Sequence, residues 1–130
     1  MNRTRQAAAA LVLASASIFP ALADTRALDG RSFEGVFIQR GKTSGDADTL
    51  VFRDGRFRSL ACDRYGYSDA PYKTASTGDM TRFEAETDSP KYGKLRWSGV
   101  IARGKLDATA VMVREGKADI ENWVVAGEKN

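Results

Sequence analysis

"TLVFRDGRFRSLAC", residues 49–62, decides the fold of this chain. "RDGR" at 53–56 joins "TLVF" to "RFRSLAC". Asp-Gly between two alternating runs is a strong hairpin signal, because a type I′ turn needs positive φ at both central residues. In the second run Phe57, Ser59 and Ala61 fall on one face, opposite Arg56 and Arg58. If the strand runs through to residue 62, Leu60 and Cys62 lie on the arginine face.

The same device recurs along the chain. "TGDM" at 77–80 and "RGKL" at 103–106 read as hairpin turns, and "REGKAD" at 114–119 as a longer one. They separate strand candidates at 32–39, 48–53, 56–62, 71–77, 80–87, 94–103, 105–114 and 120–127. No stretch has helical periodicity. Longer loops fall at "RGKTSGDA" (40–47) and "DSPKYG" (88–93), with the segment "LACDRYGYSDAPYK" (60–73) between the third and fourth strands. Because nearly every connection is hairpin-length, the predicted fold is all-β. It is a single eight-stranded antiparallel up-and-down barrel, calycin-like, with a two-sheet β-sandwich as the alternative.

Alternation assigns the faces. Thr81, Phe83, Ala85 and Thr87 share the inner face of the fifth strand, and Leu95, Trp97, Gly99 and Ile101 that of the sixth. Gly35, Gly99 and Ala108 sit inside strand patterns, where a small residue permits a bend or a large neighbour. Arg82, Glu84 and Glu86 face outward, and such charged faces are not the apolar band of an outer-membrane barrel.

Residues 1–23 read as a cleavable export signal. Arg3 and Arg5 precede an apolar stretch from Ala7 to Phe19, followed by Pro20 and Ala21-Leu22-Ala23. The stretch is short for a membrane span, so no stable membrane insertion is expected after cleavage. The expected mature chain, residues 24–130, is one domain, periplasmic or secreted. Cleavage also lowers the charge. Without Arg3 and Arg5 the 20 basic residues become 18, against 17 acidic ones. The two signs alternate locally, as in "DRYGYSD" and "TRFEAETD", so no basic stripe is available for nucleic acid.

The chain has no histidine, which removes the usual Ser-His and Cys-His nucleophiles and the commonest zinc and copper ligand sets. Its lone cysteine, Cys62, cannot form an internal disulfide. It is a small buried apolar residue, an intermolecular link, or a reactive thiol if Arg58 or Arg64 stabilises a thiolate. Glu84 and Glu86 are spaced like a catalytic pair but read as exterior charges. "GDAD" at 45–48 lacks the further ligands of a calcium loop and reads as a solvated turn. No catalytic residue, metal or cofactor is therefore expected.

The aromatic residues are more suggestive. Phe33 or Phe37, Phe52, Phe57, Phe83 and Trp97 are placed to line a barrel interior, with Trp123 near the last strand. Tyr65, Tyr67 and Tyr72, on a Gly/Pro-containing crossing, suit a pocket rim because tyrosine has an apolar body and a polar tip. The candidate ligand-binding set is Tyr65, Tyr67, Tyr72, Phe57, Phe83 and Trp97.

The stretches "LDGRSFEG", "FRSLACDRYGYSDAPY", "FEAETDSPKYGKLRWSG" and "WVVAGE" resemble a group of small exported bacterial proteins. These share the pattern F-x-S-x-x-C-D-x-Y-G-[YF]-x-x-A-P-Y. Phe57, Ser59, Cys62, Asp63, Tyr65, Gly66, Tyr67, Ala70, Pro71 and Tyr72 match it. The resemblance brings no activity with it. At the level of fold the group is similar to the lipocalin and calycin barrels, although "SFEGVF" stands where lipocalins carry glycine-x-tryptophan.

Two functions are expected from these features. The first is non-enzymatic binding of a small, partly apolar or aromatic molecule at one barrel end. The alternative is a barrel inhibitor of a lysozyme or protease, meeting an envelope protein through "DRYGYSDAPYK".

Overall fold

The computed structural model describes residues 21–130. Residues 1–20, most of the expected export signal, lie outside the described residues. Asp54 and Gly55 adopt φ of 51° and 75°, the paired positive values that a type I′ turn requires. Around that turn run β2 (Asp46–Arg53) and β3 (Arg56–Ser59). The other strands are β1 (Ser32–Gln39), β4 (Ala70–Thr77), β5 (Met80–Ser89), β6 (Gly93–Ala102), β7 (Lys105–Met112) and β8 (Ile120–Glu128). They pair in sequence order, and β8 returns to β1, closing an eight-stranded antiparallel up-and-down barrel. The sandwich alternative is thereby excluded.

Closure brings β1 and β8 together from Phe33↔Glu128 to Gln39↔Asn122. Gly35 makes this approach possible, since a Cβ there would lie 1.9 Å from the Val125 carbonyl oxygen. Gly99 plays a similar part inside, where a Cβ would come within 2.8 Å of the Phe83 ring. Arg31 and Glu128 add a bidentate ion pair across the same seam, with both N–O distances 2.8 Å.

Two expectations about strand 56–62 fail. The strand ends at Ser59, and Leu60–Tyr65 form a short 3-10 helix instead. Leu60 remains exposed, but Cys62 is buried inside and does not share the arginine face. The physical cause is Asp48, whose carboxylate accepts hydrogen bonds from the Ser59 hydroxyl (2.6 Å) and the Ala61 N–H (2.9 Å). These bonds pull the chain out of the β2–β3 ladder.

The short β3 leaves β4 with only two paired residues on that side, Pro71 and Ala70. The N-terminal segment supplies the missing partner. Thr74 N–H donates to the Asp24 carbonyl (2.7 Å), and Asp24 N–H returns a bond to Thr74 (3.2 Å). Residues 25–31 then cross the end of the barrel and close it. Leu28 is buried under this crossing, and its N–H donates to the Tyr72 hydroxyl at 2.9 Å. That hydroxyl donates in turn to Asp29 Oδ1 at 2.7 Å, while Asp29 also accepts from the Gly55 N–H.

Beside this plug lies the core. The Phe52 ring packs against Phe33, Phe57, Tyr72 and Phe83 at centroid separations of 6.1, 5.2, 4.9 and 5.2 Å. Phe57 continues the stack to Trp97 at 4.8 Å. Trp123 sits outside, 46% exposed, beneath the Arg40 guanidinium.

Replacing Phe52 by alanine is expected to cost about 3–5 kcal/mol in denaturant unfolding. Trp123→Ala should cost no more than about 1 kcal/mol. A second prediction concerns the plug. The Tyr72 hydrogen bond is the main cause holding the Asp29 carboxyl below its usual range. A depressed carboxyl contributes stability above its unfolded pKa and loses that contribution as pH falls through its folded one. Tyr72→Phe should therefore destabilise at neutral pH, and its gap to wild type should narrow below about pH 4 in acid-unfolding curves.

Candidate ligand-binding pocket

The loops 40–45, 60–69, 90–92 and 113–119 gather at the end of the barrel opposite the plug. Here the aromatic stack stops at Trp97, whose indole N–H is satisfied by the Thr87 hydroxyl at 3.2 Å. Phe37 caps Trp97 edge-on at 5.9 Å. Above these rings opens a pocket of about 520 Å³. Its walls are Phe37 from β1, Leu95 from β6, Met112 from β7, and Ile120 and Asn122 from β8. Its remaining side is formed by Ala61, Cys62, Tyr65 and Tyr67, with Tyr92 across the mouth. Gln39, Lys42, Ser44 and Asp46 complete the solvent edge. Volume and lining suit a small organic ligand, because such sites are mostly apolar with a few placed polar groups.

The segment that roofs the pocket is held at several points. Asp48 anchors its start, and Arg58 forks onto Asp63 with distances of 3.1 and 2.6 Å. Gly66 reverses the chain with φ 85°, its N–H returning to the Asp63 carbonyl. The Ser89 hydroxyl then donates to the Tyr65 carbonyl at 2.7 Å. This clamp turns Tyr65 outward, where it meets Tyr92 edge-to-face at 5.8 Å. The two rings are 43% and 39% exposed, and Arg64 and Lys91 lie over them. Tyr67 turns inward and is 7% exposed.

The electrostatics of this wall follow from burial. Asp48 is taken out of water, which raises its carboxyl despite the hydrogen bonds from Ser59 and Ala61. Burial pushes the Cys62 thiol up to about 11, and the charges of Asp48 and Asp63 push the same way. Tyr67 is raised by burial too, with the Cys62 and Asp88 charges contributing. Neither arginine expected to activate the thiol does so. Arg58 is engaged by Asp63, and Arg64 by Asp46 at 3.5 Å.

The candidate residues therefore divide. Tyr65, Tyr67 and Cys62 line the pocket. Tyr72 does not, being 1% exposed at the plugged end. Phe57, Phe83 and Trp97 belong to the packed interior beneath the pocket and not to its lining. "GDAD" is only half a solvated turn, since Asp46 is exposed while Asp48 is buried. Tyr92, Met112, Ile120 and Asn122 were missed from sequence. Asn122 and Asp48 carried a readable signal: each is a polar residue at an inward position of a period-two pattern, in phase with Val124 and with Leu50.

Comparisons of the chain with models of known protein families, with curated proteins and with solved structures return no match.

With so small a thiolate fraction and so little exposure, Cys62 should resist thiol reagents. At pH 7 its alkylation by iodoacetamide is expected to be at least about 100-fold slower in the folded than in the denatured chain, followed by mass spectrometry.

Proposed function

We propose that this chain is a non-enzymatic binding protein, working in the periplasm or outside the cell, that takes a small, partly apolar molecule into the open end of its barrel. The observation that carries this reading is the asymmetry of the interior. One end is filled by the Phe52 cluster and sealed by Leu28 and Tyr72. The other keeps a pocket of about 520 Å³ with an apolar floor and tyrosines at its mouth. A barrel that packed itself throughout would need no such space. Cys62, buried and held as a thiol, fits a wall residue better than a nucleophile.

A second reading has its own support. Tyr65 and Tyr92, exposed side by side beneath Arg64 and Lys91, are the residue types that dominate protein interfaces. They would suit a loop-borne inhibitor of a lysozyme or protease.

The neutral fluorophore N-phenyl-1-naphthylamine is expected to bind one-to-one, with a rise in its emission. Ile120→Trp, which puts a large ring into the pocket from its solvent edge, should abolish that rise without lowering the thermal midpoint. An absent signal, or one indifferent to this substitution, would overturn the binding reading. The same variant leaves Tyr65 and Tyr92 at the surface, so an inhibitor would retain its target enzyme.

A further inference from the structure

We propose that the outer wall formed by β1, β8 and β7 is a self-association surface. A second copy of this chain docks on it face to face, with the two β1 strands antiparallel, as a weak and reversible two-fold dimer. The surface is on the other side of the wall from the pocket, and its occupation does not depend on what the pocket binds.

The barrel exterior has two unlike sides. On β5 and β6 the outward positions carry Arg82, Glu84, Glu86, Lys94 and Arg96, the polar face that an antiparallel wall turns to water. Around the closing seam the outward positions are Val36 and Ile38 of β1, Trp123 and Val125 of β8, and Thr109 and Val111 of β7. Register sets them side by side. Val36 opposes Val125, Ile38 opposes Trp123, and Trp123 opposes Thr109. Val36, Trp123 and Val125 are three of the six large apolar side chains exposed among the described residues, and Val125 is the most open at 59%. The barrel's own packing does not require them, because the inward faces of the same strands already supply the core through Phe33, Val124 and Leu106. Contiguous exposed apolar patches mark interaction surfaces. Since β8 returns to β1, neither strand offers a free edge, and a partner has to meet the face.

Charge at the margins identifies the occupant. Along β1 and just past its end the outward order is Glu34, Val36, Ile38, Arg40: an acid, two apolar residues, a base. Lys129 pairs with Glu34 at 3.2 Å at one margin, and Glu121 pairs with Arg40 at the other. A two-fold axis across the strands reverses this order in the facing copy. It sets Glu34 against the partner's Arg40 and brings Lys129 towards the partner's Glu121, while the apolar residues meet in the middle. Facing sheets whose strands align within about 30° allow such a contact. Opposite charges at a rim fix the register and speed encounter more than they add affinity. A lipid surface fits less well, because membrane-docking faces carry surplus cations. Here both flanking cations are matched by acids, and Asp107, level with Val125 on β7, adds another acid. Area sets the strength. Three strands about 4.8 Å apart, followed for about 20 Å, present roughly 300 Å² of wall. Two such faces with their rims stay at or below about 1,200 Å², the range of weak and transient contacts and not of obligate dimers.

Sedimentation velocity tests this on the chain from Asp24 onward, which carries every strand of the barrel. The wild type should pass from monomer to dimer between about 5 and 500 µM, the affinity range of so small an interface. Val125→Asp should weaken the dimer at least about 10-fold. Glu34→Arg and Arg40→Glu should each weaken it by a similar factor, since each sets like charges against each other across the two-fold. An equimolar mixture of these two variants should recover the dimer, because both rim contacts between the unlike chains again join opposite charges. All three positions are at the surface, so thermal midpoints measured at the monomeric concentration should stay within about 5 °C of wild type. A monomer throughout the range, a dimer indifferent to Val125→Asp, or a mixture no better than its separate variants would each overturn the inference. So would capture by vesicles of phosphatidylethanolamine and phosphatidylglycerol of a chain that stays monomeric, which would give the wall to a lipid surface instead.

Discussion

Phe52 is the point on which the rest of the structure depends. Its ring is fully buried and touches Phe33, Phe57, Tyr72 and Phe83, which come from four different strands. Its backbone is held as well, accepting from the Gly30 N–H (2.8 Å) and donating to the Arg31 carbonyl (3.0 Å). One residue thus joins the aromatic core to the segment that seals the barrel. A single cysteine allows no internal disulfide, so cohesion has to come from packing of this kind. Tilted and edge-on ring pairs suit the task, adding about 0.5–1.5 kcal/mol each beyond the area they bury.

That concentration of volume at one end creates the space at the other. Eight strands enclose an interior just wide enough for side chains or one small ligand. Here the rings of Phe33, Phe52, Phe57, Tyr72 and Phe83 and the Leu28 plug use the half of the barrel near the Asp54–Gly55 turn. Towards the opposite end only Phe37 adds a ring beyond Trp97, and the other inward residues are the smaller Leu95, Met112, Ala110 and Asn122. The pocket is what this taper leaves, and the 60–67 segment roofs part of it. Asp48 matters because its buried carboxylate ends β3 and starts the roof. The barrel accepts the cost of burying that carboxylate and keeps Cys62 and Tyr67 in place as a result.

Much of the fold was legible in the residues, and the reason is that it is locally encoded. Asp54-Gly55 and Arg103-Gly104 take the positive φ values that their turns demand, whatever surrounds them. Thr81, Phe83, Ala85 and Thr87 face inward because a strand alternates, and Trp97 follows on the next strand by register with Ala85. The candidate site was legible only in part. Tyr65, Tyr67 and Tyr72 lie within eight positions, yet Tyr72 ends up under Leu28 while Tyr67 lines the pocket. Two events separate them. The 3-10 helix ends at Gly66, and the chain then travels the depth of the barrel wall to begin β4 beside Arg56. Neither event has a period or a turn dipeptide to announce it.

The sequence by itself determined the strand order, the hairpins, the inward faces and the absence of histidine chemistry, because each depends on neighbours in the chain or on composition. The tertiary structure alone decided which end of the barrel is open. It also buried Asp48, inserted residues 24–31 as a plug, and set Tyr92, Met112 and Asn122 around Tyr67. These outcomes depend on closure between β1 and β8 and on the tilt of the strands. Closure of that kind places residues from the two ends of the chain side by side, and local patterning carries no information about such distances.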